Sequence, residues 1–379
     1  MRVAIVHDWL YVMRGGEKVL EVFCELYPQA DLYCLFHVPG SVSQTIEQMK
    51  IHTSFINRLP LARKHHRWFL PLFPTAIERF NLANYDLILS SSHCAAKGVI
   101  PPPESCHISY VLTPMRYVWD LYDDYFGRAG FFSRKLIPFF ANYLRTWDVS
   151  SSARVDSFVA ISTYVAKRIK KFYRRDAVVI HPPVDTDKFN PSGKPPEDFY
   201  LAVSGLVPYK RVNLAVEAFN ELGLPLRIIG TGPEEKRLRK SAKKNVRLLG
   251  WQPDSVIAQH YANCKALVFP GKEDFGIVPV EAMASGRPVI AYGRGGVEDT
   301  VVALRERAPD ETTGMPTGVF FDEQSAASLC EAVRFFEKDS ERFDPAAIRK
   351  HALKFDRVTF KKNIADFIER EFCQFRTSS

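Results

Sequence analysis

Residues 271–291 read GKEDFGIVPVEAMASGRPVIA, from Gly271 to Ala291. The stretch follows one apolar run, Ala266–Phe269, and ends in another, Val289–Ala291. Two short apolar strands on either side of a helix-length segment form a crossover unit of a parallel sheet. Pro279 is expected at the first helical position, where its missing N–H costs no hydrogen bond. Glu281 then falls in the first helical turn, and Glu273 lies in the loop eight positions earlier. The backbone amides of Phe275, Gly276, Ile277 and Val278 would head the helix, a ready site for a pyrophosphate. Gly276 permits close backbone approach to a ligand. Glu281 is placed to accept ribose hydroxyls and Glu273 to hold sugar hydroxyls.

The alternation continues upstream. Tyr200–Val203, Leu226–Ile229 and Val246–Leu249 read as strands, separated by helical stretches at Arg211–Leu222 and Pro233–Ala242. Gly230-Thr231-Gly232 closes one of these strands but lacks the third glycine of a dinucleotide fingerprint. Near the N-terminus, Val3–Val6 is a strand, Arg14-Gly15-Gly16 a tight turn and Glu17–Leu26 an amphipathic helix. Asp86–Leu89, His107–Leu112, Ser157–Ile161 and Val178–Ile180 extend the series, with Val165–Arg175 as a basic helix. The segment HPPVDTDKFNPSGKPPED, residues 181–198, holds five prolines and reads as a linker. The predicted fold is α/β, with two Rossmann-like doubly wound domains facing a cleft. Residues 1–182 form the first, 183–198 the linker and 199–354 the second. Asp344–Phe375 reads as helix throughout, with the end of the chain, about 355–379, a candidate to pack back on the first domain. Ligands of such sheets bind beyond the carboxyl ends of the strands.

Composition narrows the function classes. The 379 residues are 46% hydrophobic and 25% charged, with a net charge of +8, which suits an anionic partner. The 7 cysteines form no C-x-x-C pair, which argues against a disulfide framework or zinc site. The start MRVAIVHDWL lacks a signal peptide's long apolar region, and no apolar run is long enough to span a bilayer. The expected location is cytoplasmic. No nucleic-acid partner is expected, because the cations interleave with large apolar residues and no known nucleic-acid module is present.

The Glu-x7-Glu segment with its internal Phe275-Gly276 resembles the signature of the retaining family-4 glycosyltransferases, which have the GT-B fold. The resemblance extends over nearly the whole chain, through HDWLYVMRGGEKVLE, HPPVDTDKF, SGLVPYKRVNLAVEAF, IIGTGPEEKRL and VRLLGWQPD. Within that family the chain resembles the WbaZ-like mannosyltransferases of surface-polysaccharide assembly. The resemblance implies transfer of mannose from GDP-mannose, with no cofactor and no metal, to a glycan or polyprenyl-diphosphate-linked acceptor. Gly15 and Gly16 would lie against donor phosphates and acceptor, and Lys210 and Arg211 would neutralise the diphosphate. Gly232 would line the nucleotide, and Phe275, Gly276, Ile277 and Val278 would supply amides. Glu273 would touch the sugar, Glu281 the ribose, and His93 would match the family's catalytic-region histidine. Two departures stand out. Ser204-Gly205-Leu206-Val207-Pro208-Tyr209-Lys210 carries Gly205 where the family usually has arginine, and Asp299 replaces a usual glutamate.

Other signals are weaker. Asp185-Thr186-Asp187 spells a metal-binding D-x-D but falls in the linker, and His65 and His66 are expected to be solvated. Arg58–Phe73 and Arg128–Trp147 contain no acidic residue and mix cations with aromatics, including Arg67, Trp68, Phe69, Arg134 and Lys135. Both fit either a helix with one buried face or a patch that meets an anionic membrane surface, which would place the protein peripherally on the inner face of the plasma membrane. The competing readings are a UDP-sugar donor on the same fold, and a basic nucleic-acid- or sugar-binding protein without catalysis.

Overall fold

The computed structural model describes residues 1–60, 62, 65–120, 131–304 and 315–378, with the side chains at 67, 131–136 and 378 outside that description. The chain divides into two compact units, residues 1–183 with 360–379 and residues 184–359.

The first unit holds seven parallel strands in the order β3-β2-β1-β4-β5-β6-β7. They are β1 Val3–His7, β2 Asp31–Cys34, β3 Lys50–Thr53, β4 Leu87–Ser92, β5 Cys106–Val111, β6 Ser157–Ala160 and β7 Val178–Val179. The central three, β1, β4 and β5, are buried along their whole length, as strands covered on both faces must be. The winding runs outward from β1 to β3 on one side and from β4 to β7 on the other. Right-handed crossovers therefore place helices on opposite faces of the two halves. Sequence reading did not find β2 and β3. β3, with Lys50, His52 and Thr53, makes a poor apolar run, whereas β2 has buried Leu32, Tyr33 and Cys34; Asp31 adds to their pairing, 2.8 Å from Lys50 and 2.8 Å from His52.

The second unit holds six parallel strands in the order β10-β9-β8-β11-β12-β13. They are β8 Tyr200–Val203, β9 Leu226–Ile229, β10 Val246–Gly250, β11 Leu267–Phe269, β12 Val289–Tyr292 and β13 Gly318–Phe321. Again the winding reverses once, between β8 and β11. The helix Val212–Leu222 packs against Ala326–Lys338 over this sheet.

Three expectations need revision. The proline-rich stretch is not a free linker but packs on the second unit. The Val184 amide donates to the Phe355 carbonyl at 3.0 Å, Phe189 is buried, and Arg349 donates to the Phe189 carbonyl at 2.8 Å. The C-terminal stretch is not one helix but Pro345–Ala352, a turn at Leu353–Phe355 and then Arg357–Ser378. Asp344 caps the first by accepting from the Ala346 and Ala347 amides. The last helix belongs mainly to the first unit: Lys361 pairs with Glu25 at 2.9 Å and Ser157 donates to Glu371 at 2.6 Å. Finally, His66 is not solvated, since its ring lies 5.1 Å from Trp9 and 5.5 Å from Phe36.

In the first unit a buried ion pair fixes the loop after β4. Lys97, 1% exposed, lies 3.0 Å from Asp148 on the helix Phe131–Ser152 and donates to Ser151 at 2.8 Å. Asp148 also accepts from Trp119 and from Tyr173, each at 2.8 Å. A buried charge is tolerated when paired and hydrogen-bonded in this way.

Candidate active site

Each sheet reverses its winding at one place, and there the loops at the carboxyl ends diverge and open a crevice. In the second unit the reversal lies between β8 and β11. The loop after β8 carries Gly205 to Arg211, and the loop after β11 carries Gly271 to Gly276. Lys210 and Glu273, both about one-fifth exposed, meet as an ion pair across the reversal. The two loops are pressed together, since a side-chain carbon at Gly271 would sit 3.0 Å from the Lys210 carbonyl. Arg211 takes a left-handed conformation, φ +55°, and the helix Val212–Leu222 begins after it rather than at it. Arg211 is exposed.

Gly276, φ +95°, caps the helix Ile277–Ala284. The first four amides of a helix have no partner within it. Pro279 is thus the third helical residue, not the first, and still sacrifices no helical hydrogen bond. Glu281 lies one turn in, and Tyr261 donates to it at 3.1 Å. Burial, then the charge of Glu281, pushes the Tyr261 phenol far up, which keeps it a neutral donor. The glycine turn Gly295-Gly296 supports the same loop: the Gly296 amide donates to the Glu273 carbonyl at 2.8 Å. Gly232 packs where a side-chain carbon would lie 2.4 Å from the Leu206 carbonyl. Gly205, by contrast, is exposed and has open space around it.

In the first unit the reversal lies between β1 and β4. Asp8, fully buried, follows β1. Its carboxylate accepts from four consecutive amides after β4, those of His93, Cys94, Ala95 and Ala96, at 2.7, 2.9, 2.5 and 2.8 Å. His93 Nδ1 lies 3.0 Å from the same carboxylate. Burial alone would raise the Asp8 carboxyl, but His93, His7 and the amides hold it well below the usual range. Gly15 opens the helix Gly15–Leu26, and a side-chain carbon at Gly16 would lie 2.8 Å from the end of the Leu112 side chain. Glu17, also buried, accepts from the Arg14 amide at 2.9 Å and lies 3.7 Å from His7. Burial pushes the Glu17 carboxyl up, and His7 and His93 pull it below its ordinary value. Among the described residues, neither ring nitrogen of His7 has a hydrogen-bond partner.

The predicted residues therefore fall into two groups. Gly15, Gly16 and His93 belong to the first unit. Gly232, Lys210, Arg211, Glu273, Phe275, Gly276, Ile277, Val278 and Glu281 belong to the second.

Residues 14–188 match the model of Glycosyltransferase Family 4, and residues 184–354 match that of Glycosyl transferases group 1. The chain is built from glycosyltransferase domains of these two families. It is 30% identical over 152 residues to an uncharacterized glycosyltransferase of Methanocaldococcus jannaschii, covering 39% of this chain and 43% of that one. It is 26% identical over 233 residues to the GDP-mannose-dependent alpha-(1-6)-phosphatidylinositol monomannoside mannosyltransferase of Mycobacterium tuberculosis, covering 51% and 60%. The chain spans about half the length of the curated relatives it matches. Among solved structures it resembles HepE of Anabaena in complex with UDP, with a TM-score of 0.68 at 16% identity over 98% of this chain and 100% of that one. The fold of the chain is accordingly GT-B.

Sequence reasoning missed Asp8, Glu17 and His7 at the β1–β4 reversal. A signal was present in His7-Asp8, two polar residues closing an apolar strand just before a glycine turn. It also missed the support of Gly296. A methyl group there would lie 2.2 Å from the Asp274 carbonyl and 2.3 Å from Phe275 Cα. We expect Gly296→Ala to cost about 1–3 kcal/mol, as overpacking does. Gly205→Arg, placed in open space, is expected to stay within about 0.5 kcal/mol of the parent. Denaturant midpoints of the full chain test the pair, and a larger loss for Gly205→Arg would contradict the geometry.

Proposed function

We propose that the chain is a retaining glycosyltransferase that moves mannose from GDP-mannose to a lipid-linked or oligosaccharide acceptor. The observation that carries this reading is the Lys210–Glu273 pair at the β8–β11 reversal, beside a helix start capped by Gly276. Transfer breaks the bond between the anomeric carbon and the diphosphate, leaving negative charge on the departing oxygen. Fixed cations and amides stabilise that charge without reorganising. When donor binds, Lys210 exchanges Glu273 for the diphosphate, and the released carboxylate takes sugar hydroxyls. Glu281, held by Tyr261, accepts the ribose hydroxyls. The amides at the head of Ile277–Ala284 receive the diphosphate, and Arg211 adds charge. No side chain is assigned as a nucleophile.

GDP-mannose is favoured by the named requirement of the Mycobacterium tuberculosis relative. A UDP-sugar is the second reading, favoured by the UDP held in the HepE structure. Thermal-shift titration with GDP and UDP separates them, since bound ligand stabilises the native state by mass action. We expect GDP to stabilise more, and equal or greater stabilisation by UDP would reject the mannose assignment. In the same measurement Glu281→Ala should lose about 1.5–3 kcal/mol of nucleotide binding, the worth of a charged hydrogen bond. Glu273→Ala should spare free nucleotide and damage transfer.

The relative weight of the two cations is separately testable. Lys210 already reaches across the reversal, whereas Arg211 is exposed in a left-handed turn. Lys210→Ala should lower turnover at saturating donor by ~10²–10³, and Arg211→Ala by less. Near-parental turnover in Lys210→Ala would remove it from the mechanism.

The acceptor reading brings a membrane surface with it. Among the described residues no helix is long and apolar enough to cross a bilayer. Trp68 is 69% exposed, Phe139 75% and Phe140 46%. The side chains of Arg67, Arg134 and Lys135 lie outside the described residues. Exposed aromatics suit the interface of an anionic bilayer, and each cation beside them in the sequence would add about 1 kcal/mol, weakened by salt. Co-sedimentation with phosphatidylserine vesicles should therefore occur at low salt and fade at high salt. Failure to bind at low salt would sever the chain from the membrane.

A further inference from the structure

Beyond the carboxyl end of β3, the edge strand of the first unit's sheet, lies a cavity of about 210 Å³. It is lined by none of the residues at either winding reversal. Thr53, Ser54, Phe55, Arg58, Arg79 and Phe80 face it. Much of this lining is held in place from behind. The Ser54 hydroxyl donates to the Leu35 carbonyl at 2.7 Å and accepts from the Ile56 amide at 3.2 Å. Phe80 packs on Tyr33 with ring centroids 5.1 Å apart. The Arg79 guanidinium stands 5.8 Å from the centre of the Phe55 ring. An aromatic face steadies a guanidinium while leaving its charge in place.

The charge of this lining has one sign. The acids that flank the cavity in the sequence, Glu47 and Glu78, are both engaged elsewhere. Glu78 takes Arg154 at 2.7 Å and the Trp147 indole at 2.8 Å, and Glu47 takes His37 at 3.1 Å and the Gly40 amide at 2.8 Å. Among the described residues no carboxylate lines the cavity, and neither Arg58 nor Arg79 is paired with one. The Thr53 hydroxyl accepts from the Asn57 amide group at 3.3 Å and keeps its own hydrogen to donate. The groups left to meet a ligand are therefore donors, two of them cationic. A guanidinium fork matches phosphate or carboxylate oxygens. Two forks around one cavity match the nearly double charge of a phosphate monoester better than the single charge of a carboxylate. We propose that this cavity binds the phosphate group of a phosphorylated ligand, held by Arg58, Arg79 and Thr53, with the ligand's carbon part against Phe55 and Phe80. The phosphate has two possible sources, a soluble phosphate ester or a lipid-linked one. A lipid-linked source makes the cavity part of the acceptor site, which rests on the transfer reading above, whereas the phosphate site itself does not.

The test reads the two arginines directly. The full chain, labelled with nitrogen-15 arginine, is titrated with sodium phosphate at fixed ionic strength and about pH 8, where a phosphate monoester carries close to two charges. Arg58→Gln and Arg79→Gln assign the signals, and both positions are exposed, so the variants keep the fold. We expect the Nε–Hε signals of Arg58 and Arg79 to move on one saturating curve. Glycerol phosphate and geranyl phosphate should move the same two signals. Geranyl phosphate binding about tenfold tighter or more, through its apolar chain, marks a lipid-linked source, and equal affinities mark a soluble one. Arg58→Gln should weaken phosphate binding at the Arg79 signal by about tenfold or more, as loss of a charged hydrogen bond does. Lys210→Ala, in the second unit, should leave both curves unchanged, which separates this cavity from the diphosphate site. Signals that stay still, or that move equally with sodium chloride, would overturn the proposal. So would an Arg79 curve indifferent to Arg58→Gln. Absence of transfer by the parent chain would sink the proposed function and leave these curves to stand or fall separately.

Discussion

Each parallel sheet in this chain reverses its winding once, and the candidate residues Asp8, His93, Lys210 and Glu273 lie where it does. A right-handed crossover can carry the chain only outward along one face. A sheet covered on both faces therefore has a pair of neighbouring strands whose following loops part company. Here the pairs are β1 with β4 and β8 with β11. The loops after these four strands carry Asp8, His93, Lys210 and Glu273.

The two reversals are closed by opposite means. At β1 and β4 a buried carboxylate gathers the amides of the neighbouring loop, so the loop's backbone is held by an anion. The buried Lys97–Asp148 pair anchors the same loop farther along. At β8 and β11 the link is a single side-chain pair, Lys210 with Glu273, partly open to water. Such a pair contributes little to stability and yields readily to a competing anion. The first reversal is thus held by a wholly buried set of hydrogen bonds, and the second by a pair that water can reach.

Glycines divide by whether a neighbour demands them. Gly16, Gly232 and Gly296 each occupy space that a methyl group would contest. Gly205 does not, so no packing constraint accounts for the missing arginine at that position. In the proposed function the diphosphate charge is assigned instead to the next cations along the loop, Lys210 and Arg211.

The Glu273 to Glu281 segment, the central buried strands and the glycine turns were legible in the sequence, because each leaves a local mark. Apolar runs record burial on both faces, and glycines record a left-handed turn or a close approach. Polar β3 left no such mark, since its place depends on Lys50 and His52 pairing with Asp31 of another strand. The break in the C-terminal helix was hidden, because a continuous helical pattern does not show the turn at Leu353–Phe355, whereas the packing of its end on the first unit was expected. Asp8 is the clearest case. Its partners lie 85 to 88 residues away. Residue type alone says that a carboxylate accepts hydrogen bonds. Only the folded sheet, by setting β1 beside β4, determines which amides it accepts them from and that His93 is turned toward it.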